Sequence, residues 1–244
     1  MTENPGPVGT GGFLAVRDEH AIEEMDRADC DPAMLARTYA QFPLINSVVA
    51  RWHSVYKQRI RPLLSSTRSS TLLDIGCGGG DIPAALARWA ARDHLHLKVT
   101  AIDPDPRAIT YASTHFAGAG VQFRQAHSAA LTAAGERFDV VLSNHMLHHL
   151  AQTELQALLQ DSAQLARRAV IHSDIARSRL GYALFSVATL PLIGGSFIRR
   201  DGLTSIRRSY TPAELQAVLP AGWRVESARP YRNLLLYTPE QQHV

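Results

Sequence analysis

An open α/β domain, with a mostly parallel sheet and helices on both faces, is the fold this sequence predicts, and three stretches carry the prediction. Residues 72–81, Leu-Leu-Asp-Ile-Gly-Cys-Gly-Gly-Gly-Asp, run from an apolar segment into glycines and then into a helical pattern. That order reads as a strand, a tight turn and a helix start. Residues 97–105 form a second apolar run that ends in Asp103-Pro104-Asp105. Residues 138–150 form a third, closing on the polar turn Ser143-Asn144-His145-Met146-Leu147-His148-His149. Strand-like runs that alternate with helical stretches favour βαβ units and a parallel sheet.

The glycine turn sets the chemistry. Gly76, Gly78 and Gly80 can adopt positive φ without a Cβ in the way, and the helix that follows offers free N–H groups. Such a turn serves a dinucleotide pyrophosphate or the amino-acid end of S-adenosylmethionine (SAM). A dinucleotide fingerprint needs glycine at its first, third and sixth positions, and counting from Gly76 the sixth is Asp81. Asp74, two residues before the first glycine, would repel a pyrophosphate but could hold an ammonium group. The pattern Asp-x-Gly-x-Gly-x-Gly resembles the first motif of the class I SAM-dependent methyltransferases. The resemblance covers residues 72–237 and implies a Rossmann-like seven-stranded sheet, with the last strand inserted antiparallel between its neighbours.

Taken in order, residues 1–18 are rich in Gly and Pro near their start, lack a signal-peptide pattern and are expected to be disordered. Residues 19–66 read as an N-terminal helical cap, opened by Asp31-Pro32 and broken or kinked at Pro43. Such a cap either covers an acceptor site or packs on the sheet edge. Residues 67–244 form the methyltransferase domain of this reading. Asp103 lies 27 positions after Gly76, where a second strand presents a carboxylate to ribose hydroxyls, with Pro104 beside it. Asp105 reads as a helix cap. After the third strand, residues 121–126, the family commonly places an Asp against adenine; here His127 and Ser128 stand there, and a backbone carbonyl or the Ser128 hydroxyl would take its place.

The segment from Asn144 to Leu150 closely resembles the Asn-x-x-Leu-His-His-Leu of small-molecule methyltransferases related to ubiquinone and menaquinone biosynthesis. Methyl transfer from a sulfonium is a direct displacement, so a phenolic acceptor needs alignment and a base. A histidine with an ordinary pKa near 6.5 suits that task. His148 is the first candidate, then His145 and His149, with loop-fixing hydrogen bonds as the alternative role for each. The cofactor would be bordered by Asp74, Gly76, Cys77, Gly78, Gly80, Asp103, Pro104, Ser128, Ser143 and Asn144. His172 and Asp174 on the fifth strand should emerge at the same edge, with Arg177 as a partner for Asp174. Residues 178–209 then form an insertion, a greasy helix ending at Gly194-Gly195 and fit to be a lid over a hydrophobic acceptor. Arg199, Arg200, Arg207 and Arg208 in it are expected to face water. Thr211-Pro212-x-Glu214 is a capping box, and residues 223–228 and 233–237 close the sheet as a hairpin.

Composition limits the rest. The 244 residues, 45% hydrophobic, suit one α/β domain with additions. Cys30 and Cys77 form no metal pattern, and no acidic cluster suggests a metal ion. A formal charge of +3 without a basic patch argues against nucleic acid. The apolar stretch 180–193 is shorter than the roughly 20 residues that span a bilayer, leaving peripheral membrane contact open. The expectation is a soluble, cytoplasmic SAM-dependent methyltransferase, a monomer or homodimer, that O-methylates a phenolic or quinol-like polyketide or related hydrophobic metabolite. C-methylation of a quinone-type ring, an NAD-dependent oxidoreductase and a non-catalytic SAM-binding protein are the alternatives.

Overall fold

The computed structural model describes residues 12–192 and 194–240. Its helices and strands alternate: α1 (Pro32–Val48), α2 (Trp52–Val55), β1 (Ser70–Ile75), α3 (Asp81–Arg92), β2 (Leu97–Asp103), α4 (Pro106–His115), β3 (Val121–Gln125), α5 (Ser128–Ala133) and β4 (Phe138–Asn144) come first. Then follow α6 (Gln152–Leu165), β5 (Ala166–Ile175), α7 (Arg179–Ala188), α8 (Ile198–Arg208), α9 (Pro212–Val218), β6 (Trp223–Ala228) and β7 (Arg232–Tyr237). The seven strands lie in the order β3-β2-β1-β4-β5-β7-β6. β1 to β5 are parallel, while β7 runs antiparallel to both β5 and β6.

Both faces of the sheet are covered, which explains why the central strands read as unbroken apolar runs. Leu73 and Val141 pack with α6 residues such as Leu159 on one face. Leu72, Val140 and Leu142 pack on the other with Leu86 of α3 and with Trp52 and Tyr56 of the N-terminal helices. Adjacent residues of one strand thus feed opposite cores, as the period of two requires.

The N-terminal region departs from expectation at two points. α1 runs through Pro43, which is exposed, and ends only at Val48. The turn comes instead at Arg51, held at φ +47° while Ala50 and Arg51 both donate their N–H to the Asn46 carbonyl. Of residues 1–18, expected to be disordered, 1–11 lie outside the described residues. Arg17 is instead anchored, donating to the His148, Leu150 and Arg208 carbonyls. After β5, α7 and α8 pack against each other so closely that a Cβ on Gly202 would meet the Phe185 ring. Among the described residues, no helix is long and apolar enough to cross a membrane.

Candidate active site

The carboxyl ends of β1, β2 and β4 open on a cavity of about 720 Å³, roofed by α1, α7 and α8. Its floor begins with the glycine loop, where Gly76, Gly78 and Gly80 have φ of +70°, +51° and +83°. Gly80 is the N-cap of α3, and a Cβ there would collide with Ala112 and Phe123. A Cβ on Gly78, by contrast, would meet nothing within 4 Å, because that loop edge borders the cavity. Asp103 fixes the loop from β2 by accepting the Gly78 N–H at 2.9 Å, and its other oxygen takes the Asp105 N–H. Asp105 itself caps α4 through the Arg107 N–H.

A buried acid without a counter-charge sits under this loop. Asp74 is buried and its Oδ1 has no hydrogen-bond partner among the described residues. Burial, then Asp81 and Asp103 nearby, push its pKa well above the carboxylate range. Asp81 is pushed up to about 6 by burial, against the bond it accepts from Asn46 Nδ2 at 3.0 Å. A buried acid with an unused oxygen calls for a cationic donor. The ammonium of SAM is such a donor, so these residues fit that cofactor. Cys77 and Pro104 also line the cavity, and burial raises the Cys77 pKa away from the reactive thiolate range.

Not every expected cofactor residue faces the site. Asn144 does: its Oδ1 accepts from Trp52 Nε1 at 2.8 Å, and its Nδ2 lies 3.5 Å from Asn46 Oδ1. Ser143 does not, because the next residue along a strand points to the other side. Its hydroxyl instead meets His172 Nδ1 at 2.8 Å, and His172 stacks on Trp223 away from the cavity. Ser128 lines the cavity and donates to Asp161 Oδ2 at 2.6 Å, so an acid does reach this wall, from α6 rather than from the third strand's end.

The three histidines have separate environments. His148 is fully buried, its Nδ1 2.7 Å from Asp174 Oδ1 and its Nε2 3.2 Å from Glu23 Oε1. Burial alone would lower its pKa, but Asp174 and Glu23 overcome that and push it up to about 10. With both ring nitrogens engaged by carboxylates, neither is free for the role of base expected from sequence. Burial drives His145 the other way, to about 4; it is neutral, at φ +52°, and its Nε2 is enclosed without a partner among the described residues. His149 borders the cavity with Nδ1 3.0 Å from Asp26 Oδ2.

Three further corrections concern arginines. Arg177 pairs with Glu214 and not with Asp174, whose two oxygens are taken by the ring and backbone of His148. Arg208 is buried and donates to the His148 and His149 carbonyls at 3.1 and 2.9 Å. Arg199 is turned inward onto the Ser186 carbonyl. Each meets backbone oxygens that water would otherwise have to satisfy.

Sequence reasoning missed Glu23, Asn46 and Asp161, all of which line the cavity. Glu23 had no motif to mark it; its partner Ser205 lies 182 positions away. Among the described residues, Glu23, His148 and His149 also bring ligand-type atoms within 4.8 Å of one another. Hydrogen bonding already accounts for the His148 contacts of that trio without an ion.

Comparison with known proteins agrees with this geometry. Residues 72–169 match the model of a methyltransferase domain. A ubiquinone biosynthesis O-methyltransferase of Methylobacterium nodulans is 34% identical over 230 residues, 92% of this chain and 86% of that protein. One from Azorhizobium caulinodans is 31% identical over 182 residues, 72% of this chain but 66% of the relative, just under two thirds of its length. The fold is shared with magnesium protoporphyrin IX methyltransferase from Synechocystis PCC 6803 with bound SAH, at TM-score 0.53, 21% identity and coverage of 84% and 86%. It is also shared with human N-acetylserotonin methyltransferase in complex with SAM, at TM-score 0.58, 16% identity and coverage of 86% and 56%. With an aspartate under a glycine loop, a carboxylate after β2 and relatives of this likeness, the chain belongs to the class I SAM-dependent methyltransferases, related to the ubiquinone biosynthesis O-methyltransferases.

Proposed function

We propose that this enzyme methylates a hydroxyl of an uncharged, hydrophobic phenolic or quinol-like molecule, of the kind that polyketide pathways make. One observation carries the reading. Phe42 and Ile45 of α1 and Val49 at its end, with Phe185 of α7 and Ile198 of α8, give the cavity an apolar roof, and no Lys or Arg among the described residues lines the cavity. An acceptor bearing a carboxylate or phosphate would face Glu23, Asp26 and Asp201 there with no free cation to receive it.

In this reading Asp74 and Asp81 hold the cofactor's ammonium, Asp103 its ribose hydroxyls, and Ser128 with Asp161 its adenine edge. When bound, SAM supplies an electrophilic methyl group on a sulfonium sulfur. The chain's own part is to place the acceptor hydroxyl, exclude water with the roof, and receive the proton that the oxygen loses.

Transfer of a ¹³C-methyl group from SAM into a panel of alkylresorcinols, hydroxynaphthalenes and quinols tests the proposal. A methoxy carbon in the product NMR spectrum is expected. A methyl on ring carbon would move the reading to C-methylation, and tight SAM binding without any labelled product would sink the acceptor class.

A further inference from the structure

The segment before α1 contributes one buried carboxylate to the cavity, and its setting is unusual. Glu23 is 3% exposed yet lines the acceptor side. Its Oε1 receives the Ser205 hydroxyl of α8 at 2.7 Å and His148 Nε2 at 3.2 Å, and lies 3.7 Å from His149 Nε2. Every hydrogen bond found for this carboxylate among the described residues ends on Oε1, so Oε2 is left to the cavity. The segment is itself pinned, since Asp201 accepts the N–H groups of Glu24 and Met25 at 2.8 and 3.0 Å.

His148 cannot take a proton in this arrangement. Each of its ring nitrogens faces a carboxylate oxygen, so neither is left free for an acceptor hydroxyl. His145 also lines the cavity, but its Nε2 is enclosed. Among the acids on this side of the cavity, Glu23 is the buried one with an oxygen left free of hydrogen bonds.

We propose that Glu23 is a catalytic residue that receives the acceptor's hydroxyl proton, with His148 held beside it as a fixed imidazolium by Asp174. This rests on the O-methylation reading above. As the acceptor oxygen uses a lone pair to bond the methyl carbon, the carbon–sulfur pair leaves with sulfur. The O–H proton passes to Glu23 Oε2 and its electron pair stays on oxygen. Sulfonium, hydroxyl and carboxylate become thioether, ether and carboxylic acid, so charge balances. Burial disfavours an ionised Glu23, but His149 and His148 hold its pKa down to about 2. That carboxylate is a weak base at rest. It suffices because a hydroxyl oxygen that is gaining a methyl group becomes a far stronger acid than any carboxylic acid.

The test compares Glu23→Gln and His145→Gln with the wild type on phenols whose pKa falls from about 10 to below the assay pH. Glu23→Gln should lower kcat on the weakly acidic phenols by roughly 100- to 1,000-fold, leave the Kd for SAM within about threefold, and recover most of its deficit on phenols already ionised. A uniform deficit across the series would make Glu23 merely structural and overturn the proposal. So would an acidity-dependent deficit in His145→Gln alone. Independently of turnover, ¹⁵N NMR of the wild type should show His148 as imidazolium at pH 8, and Glu23→Gln should lower its pKa while Asp174 still holds the ring. A neutral His148 in the wild type would refute the arrangement even if the variant did not fold. If the wild type methylates no phenol yet shows that imidazolium, the acceptor class fails while the paired charges stand.

Discussion

Asp174 grips His148 twice, its Oδ1 lying 2.7 Å from the ring Nδ1 and its Oδ2 accepting the His148 backbone N–H, also at 2.7 Å. One carboxylate at the end of β5 thus fixes both the charge and the position of the turn after β4.

Asp174→Asn should therefore cost about 3–5 kcal/mol, the range for breaking a buried ion pair and leaving one charge uncompensated. The sign with pH follows from the raised pKa of His148. The stabilisation is complete below the ordinary value of 6.5 and is lost as pH rises toward about 10. Urea unfolding at pH 6.5 and pH 10 checks this: the variant's deficit should be larger at the lower pH. Equal deficits would mean that His148 is neutral throughout.

Two glycines of one loop should fail in different ways. Gly80→Ala puts a Cβ 2.8 Å from Ala112 Cβ and 2.9 Å from Phe123 at φ +83°, and should destabilise the fold by about 2–4 kcal/mol. Gly78→Ala meets no neighbour and should cost only about 1 kcal/mol, yet weaken SAM binding at least tenfold. Thermal unfolding with and without SAM separates the two, because ligand protection scales with affinity. Equal loss of SAM protection in both would contradict the assignment.

Gly202→Ala would drive a Cβ into the Phe185 ring, which lines the cavity. Displacing that ring should raise the acceptor KM several-fold and leave the Kd for SAM unchanged. Isothermal titration with SAM beside acceptor kinetics would show whether the damage stays on the roof.

Turnover should survive EDTA followed by dialysis, within about twofold, since hydrogen bonds already occupy His148 and Glu23. Loss of activity that Mg²⁺ or Zn²⁺ restores would make the Glu23, His148 and His149 group a metal centre.

The glycine loop, Asp74 and Asp103 were legible in the sequence because their demands are local: a turn needs glycine, and a strand end places its acid within a few residues. The histidine cluster was visible too, but the order of its members was not. The contact that sets His148 apart is with Glu23, 125 positions away, and no periodicity links the two. Ser143 could have been set aside from sequence, because it and Asn144 cannot both face one side of a strand. The arginines misled for another reason. Composition places guanidinium groups in water, whereas Arg199 and Arg208 serve carbonyls that only the tertiary fold brings to them.

Arg17 and Arg208 both clasp the carbonyls of residues 148–150 from behind, across sequence separations of 131 and 60 for their bonds to His148. The histidine cluster is therefore a high-contact-order construction laid over a sheet whose β1–α3–β2 unit is assembled from neighbouring segments. Long-range closure comes late because its loop entropy must be overcome before its contacts form. A chain that has folded this nucleus but not yet docked residues 13–26 would hold the cofactor before it could use it. Competence for binding and competence for chemistry should thus arrive in that order along the folding path, and be lost in the reverse order on gentle unfolding.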